Sequence, residues 1–112
     1  MDVKWNKCQG DTWCNFNGLN LSNPIFDNST GVYIIWSNKI TVKIGSGHIR
    51  EELTNDRLNN TISAYQNICV TWCLVEPFNV NSVKKYLADR LKPVIPIEII
   101  NDSPKEVNLP WS

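Results

Sequence analysis

The chain has no apolar run near the roughly 20 residues a membrane span needs, and its polar start, MDVKWNKCQGD, lacks the apolar middle of a signal peptide. A soluble, cytoplasmic protein with no membrane partner is expected. Charge of one sign is also lacking: eleven Lys and Arg balance eleven Asp and Glu, for a net charge of zero. No whole-molecule field gathers nucleic acid or anionic lipid, so contact with a polyanion needs a local patch. Internal repeats and low-complexity tracts are absent, which excludes solenoid and fibrous classes. With 112 residues, 42% hydrophobic and 20% charged, what remains is a single packed domain spanning 1–112.

Four cysteines are present. In a reducing cytosol they are expected as free thiols, although a cross-link such as Cys14 to a strand cysteine stays geometrically open. The short C-x2-C loops of structural zinc are missing. Cys69 and Cys73 share a strand face but lie about 13 Å apart along it, too far to ligate one ion together.

Residues 1–30 read as an irregular arm in which Gly10, Gly18, Pro24 and many Asn interrupt single apolar side chains. From Gly31 the pattern becomes GVYIIWSNKITVKIG, two β-rich runs around a polar break at Ser37-Asn38, hence a hairpin. Strict alternation puts Val32, Ile34 and Trp36 on one face and Tyr33 and Ile35 on the other. On the second strand Val42 and Ile44 oppose Thr41 and Lys43. With the first apolar set facing the core, Tyr33 and Lys43 look out together. The segment IREELTNDRLNNTISAY carries Ile49, Leu53, Ile62 and Tyr65 at helical spacing, with Leu58 near the stripe and a fray at Asn59-Asn60. ICVTWCLV, at 68–75, is apolar on both alternating faces, the mark of a central strand buried between layers. After Pro77, Asn79 or Asn81 caps a helix with Val83, Tyr86, Leu87 and Leu91 on one stripe that stops before Pro93. The proline-rich tail is an extended strap over 97–112. The expected fold class is α/β (α+β), a small three-stranded antiparallel sheet flanked by helices.

The order hairpin, helix, strand, helix over residues 31–96 resembles the GIY-YIG nuclease domain family. Gly31-Val32-Tyr33 stands at the first tripeptide of that family and Lys43-Ile44-Gly45 at the second. A small-residue turn and an Ile-x-x-x-Leu helix start, Gly47 to Leu53, follow. The family's last helix reads Glu, Leu three on, Pro nine on and Asn twelve on; from Lys84 this gives Leu87, Pro93 and Pro96.

The resemblance implies hydrolysis of a DNA phosphodiester with one divalent metal held by the helix Glu, a Tyr or water as base or nucleophile, and an Arg on the phosphate. This chain keeps Tyr33 but has Lys43 for the second Tyr, Glu52 for the Arg if one turn residue is deleted, Asp56 for the following His or Tyr, and Lys84 for the metal-binding Glu. An ammonium cannot ligate a hard cation. A carboxylate in place of a phosphate clamp is worth about 4 kcal/mol of repulsion at contact. No cofactor is expected on this reading, and Glu52 and Lys84 are expected to pair across the old cleft. The cleft, Tyr33, Lys43, Gly45, His48, Glu52, Asp56 and Lys84, then serves to bind a protein or a nucleic acid, with neutral charge favouring protein.

A second reading keeps a working magnesium-dependent endonuclease whose metal moves to Glu51, Glu52, Asp56 or Glu76. A third makes the chain an unrelated small interaction module. Tyr33 and His48 are the candidate catalytic residues, His48 as a base or phosphate contact if Tyr33 lies nearby, with a solvated loop histidine as the commoner role of such a residue. Arg50 and Arg57 point about 160° and 140° away from Glu52 around the helix, which speaks against either replacing the lost Arg. Lys84, Lys85, Arg90 and Lys92 make the last helix basic. Trp36 and Trp72 are expected in the core; Trp5, Trp13 and Trp111, in the irregular termini, are the candidates for an exposed aromatic patch.

Overall fold

The computed structural model describes residues 1–111. The last residue of the expected strap, Ser112, lies outside the described residues. The hairpin forms as the alternation requires. Strand β2 (Thr30–Ser37) pairs antiparallel with β3 (Ile40–His48), Ser37 facing Ile40 across the turn, so the break falls on Asn38-Lys39, one residue later than expected. Asn38 takes the left-handed conformation that such a tight turn demands (φ 54°). A short β1 (Cys14–Asn15) precedes the hairpin, and α1 (Ile49–Asp56), α2 (Asn60–Ser63), β4 (Ile68–Leu74) and α3 (Val80–Leu91) follow it.

The sheet is antiparallel with order β1-β4-β2-β3, four strands instead of the three expected. The extra strand comes from the arm: Cys14 pairs with Val70 and Asn15 with Cys69. Two residues of strand carry no readable alternation, which is why the sequence hid it. The arm is also covalently braced, because Cys8 and Cys14 form a disulfide, against the expectation of free thiols throughout. Cys69 and Cys73 are free.

The sheet separates two apolar layers, so β2 and β4 are buried on both faces. On one face Tyr33, Ile35, Val42, Val70 and Trp72 pack against Ile49 and Leu53 of α1, Ile62 of α2, and Phe16, Leu21 and Phe26 of the arm. On the other, Val32, Ile34, Trp36, Ile44 and Cys73 pack against Val83, Leu87 and Ala88 of α3 and Val107 of the strap. Val42 and Ile44 therefore fall on opposite faces, a correction to strict alternation. The register runs Ile35 to Lys43 and then Trp36 to Thr41, leaving Val42 without a partner. This bulge puts the neighbours Val42 and Lys43 on the same side.

Two glycines are required by close approach. A Cβ on Gly31 would lie 1.9 Å from the Cys73 carbonyl oxygen, and one on Gly45 would lie 2.1 Å from Tyr33 Cζ. The first glycine lets β4 approach β2; the second lets the tyrosine ring lie over its cross-strand partner.

The helical region breaks where the Asn pair sits. Asn59 caps α2 by accepting from the Thr61 and Ile62 amides. The break turns Leu58 out to solvent, 79% exposed, contrary to its expected place near the stripe. Helix α3 ends at Leu91 with Lys92 in the left-handed conformation, immediately before Pro93. No side chain caps its start; a 3-10 turn over Pro77–Asn79 leads into it instead.

The strap is extended. Just ahead of it, the Val94 and Ile95 amides donate to the Thr41 and Val42 carbonyls at 2.9 Å, covering the outer edge of β3 at the bulge. Asn108 grips Val3 through both its amide oxygen and nitrogen and so ties the strap to the arm. Among the described residues no helix is long and apolar enough to cross a membrane.

Candidate functional site

Tyr33 and Lys43 share a sheet face, as the alternation expects, but that face does not look out. Helix α1 closes over it, and Tyr33 is fully buried. Its hydroxyl donates to Asp56 Oδ2 at 2.5 Å, and Lys43 Nζ donates to Asp56 Oδ1 at 2.5 Å. Asp56, in the last turn of α1, is itself buried, so one carboxylate satisfies a phenol from β2 and an ammonium from β3. Both contacts are charge-assisted and short. Lys43 Nζ also stands 5.8 Å from the centre of the Tyr33 ring.

Burial, then the hydrogen bond to Asp56, then the negative charges of Asp56 and Glu52 drive the Tyr33 hydroxyl far above the usual phenol range. A tyrosine so placed holds its proton and donates a hydrogen bond; it is a poor base at neutral pH.

Glu52 lies along the rim. Its Cγ would be 3.3 Å from a Cβ on Gly47, whose φ of 125° leaves little room for any other residue there. His48, half-buried, precedes the first turn of α1 with its Nδ1 buried and without a hydrogen-bond partner among the described residues. The structure thus brings Tyr33, Lys43, Gly45, Glu52 and Asp56 together and sets His48 at the helix entrance beside them.

It does not join Lys84 to Glu52. Lys84 lies on α3, which covers the other face of the sheet, and its ammonium pairs with Glu98 of the strap at 2.7 Å. The expected Glu52–Lys84 bridge is corrected accordingly. The Lys84 ammonium, chiefly through its hydrogen bond and more weakly by its charge and that of Lys43, holds the Glu98 carboxyl below the usual range. Glu98 is the member that the sequence does not reveal. Fourteen residues separate it from Lys84 along an extended strap, and no periodic signal joins a helix to such a segment. Pro96, at the position of the family's terminal Asn, is exposed.

Arg50 and Arg57 turn toward the arm, as their directions on the helix require. Arg50 donates to the Leu21 and Asn23 carbonyls and pairs with Asp27 at 2.7 Å. Arg57 donates to the Phe16 and Leu19 carbonyls. Both hold the arm against α1 and neither faces Asp56. Among the described residues no three His, Cys, Asp or Glu side chains converge as a metal-holding group.

The aromatic candidates divide. Trp72 is buried against Phe26, and Trp36 receives Trp13 and Trp111 edge-on at 5.5 and 5.1 Å. Trp5 and Trp13 pack on the α3-side layer, and of the three terminal tryptophans only Trp111 is exposed. No protein-family model, characterised protein or solved structure matches this chain.

Proposed function

We propose that this chain is a degenerate, non-cleaving relative of the GIY-YIG nucleases that binds a partner protein through the rim of the former cleft, around the part-exposed Lys43, His48 and Glu52. One observation carries the reading: both oxygens of Asp56 are occupied by donors from within the fold, Tyr33 and Lys43. In the family's chemistry a tyrosine at this place serves as base or nucleophile. Here it is a buried donor with its proton held, and the neighbouring ammonium neutralises the nearest carboxylate. A hard cation recruited to Asp56 would have to displace Lys43 and face its charge at close range. The same contact argues against relocation of the metal to Asp56. Zero net charge favours a protein surface over a polyanion.

The test is incubation of purified protein with supercoiled plasmid and magnesium or manganese, alongside Tyr33→Phe. No nicking by either chain is expected, and no divalent cation should perturb amide resonances at Asp56. Metal-dependent nicking by the natural chain that Tyr33→Phe abolishes would overturn the reading.

A further inference from the structure

On the α3 side of the sheet, beside the β2–β3 turn, an open cleft of about 420 Å³ is lined by Trp36, Asn38, Lys39, Thr41, Arg90 and Trp111 among others. We propose that this cleft binds a nucleotide unit, a flat heteroaromatic base against Trp111 with its phosphate held by Lys39 and Arg90. The cleft is separate from the former active site, which lies under α1 on the opposite face, and its occupancy is independent of what that site does.

The chemistry of the walls selects the ligand. Among the described residues lining the cleft there are two cations and no acid, in a molecule whose net charge is zero. Some cations of the fold are used internally: Lys43, Arg50 and Lys84 each meet a carboxylate within 2.7 Å. Lys39 and Arg90 meet none of the described acidic side chains as an ion pair, and both are exposed. A guanidinium and an ammonium converging on one cleft complement a phosphate.

The aromatic wall supplies the second half. Trp111 is 45% exposed although it stands against Trp36 at 5.1 Å with the rings at 84°, so its position is fixed while much of its surface stays open. Trp36 is in turn braced by its other neighbour, Trp13, at 5.5 Å. A supported indole beside cations is the arrangement on which a base stacks, and the stacking tolerates any base because each has a π face. Asn38, held in the turn, offers amide donor and acceptor atoms for the base edge. Aliphatic acids would leave the indole unused, and uncharged aromatics would leave the cations unused.

The source of that unit is either a free mononucleotide or one residue of a single strand, and titration separates them. Indole N–H resonances of the whole protein are followed while adenosine monophosphate, a short single-stranded oligonucleotide, or inorganic phosphate alone is added. The Trp111 and Trp36 indole signals are expected to shift with the nucleotide. Trp111→Ala and the pair Lys39→Glu with Arg90→Glu should each weaken binding about tenfold or more. Tighter binding of the oligonucleotide assigns the site to a strand; equal affinity assigns it to the free nucleotide. Absence of any indole shift at millimolar nucleotide and oligonucleotide overturns the proposal. So does inorganic phosphate that binds as well as the nucleotide, or nucleotide binding unchanged in the charge-reversed pair while its folded spectrum is intact.

Discussion

The two faces of the sheet use polar chemistry in opposite ways. Under α1, the buried Tyr33 and Asp56 meet the part-exposed Lys43, so that the phenol, the ammonium and the carboxylate find their partners inside the fold. At the far end of the α3 side, Lys39 and Arg90 line an open cleft beside an exposed indole. The first arrangement is costly to disturb because removing one member leaves the buried Tyr33 hydroxyl or Asp56 carboxylate without a partner. The second is cheap to disturb because its charges are already solvated. Tyrosine, lysine and aspartate resemble catalytic residues by type, and here they bond to one another, whereas Lys39, Arg90 and Trp111 at the open cleft are exposed.

The contrast can be broken most directly at Asp56. Asp56→Ala leaves the part-exposed Lys43 and the buried Tyr33 hydroxyl without their acceptor, and chemical denaturation should show a loss of about 3 kcal/mol. A value near zero would mean that water replaces the carboxylate freely. Tyr33→Phe removes one charge-assisted hydrogen bond but leaves the ion pair, so denaturation should report about 1.5–3 kcal/mol.

Alkaline pH sharpens the same face-to-face comparison, because Cys73 lies on the α3 side yet is wholly buried. Burial pushes its thiol up to about 12 from an ordinary value of 9.0. A raised thiol binds its proton more tightly when folded, so the stability it contributes is complete below pH 9 and is lost as pH rises toward 12. At pH 10 the loss should be about 1 kcal/mol. Unfolding measured from pH 8 to pH 11 should fall less steeply in Cys73→Ala, whatever that chain's stability at neutral pH. Tyr33 adds a loss of the same sign above its own ordinary value of 10.0. The smallest expected effect is at the open cleft: Lys39→Glu combined with Arg90→Glu should change stability by no more than about 0.5 kcal/mol. A loss of several kcal/mol there would show that these cations are bound into the fold as firmly as Lys43.

Much of the architecture was legible because it is local. The alternation in GVYIIWS and ITVKIG marks a hairpin, the doubly apolar ICVTWCL marks a buried strand, and Pro93 stops a helix whose stripe ends at Leu91. The candidate cluster was legible only in part, because Lys84 falls on the other face of the sheet. Tyr33, Lys43, Glu52 and Asp56 do come together, yet nothing in their spacing distinguishes an exposed pair from one sealed by α1. Glu98 was invisible because the strap that carries it has no periodicity. A two-residue β1 likewise offers too little pattern to recognise.

By itself, then, the sequence determined the main elements: the hairpin, the doubly apolar strand and the helix that stops before Pro93, since these follow from backbone preference and short-range spacing. Tertiary structure alone decided the partners. The bulge that carries Val42 and Lys43 to one face, the pairing of Cys14 with Val70, the disulfide to Cys8 and the choice of Glu98 for Lys84 all depend on contacts outside any regular repeat. Such contacts are chosen by the burial of whole faces against one another, a free energy that no local window contains.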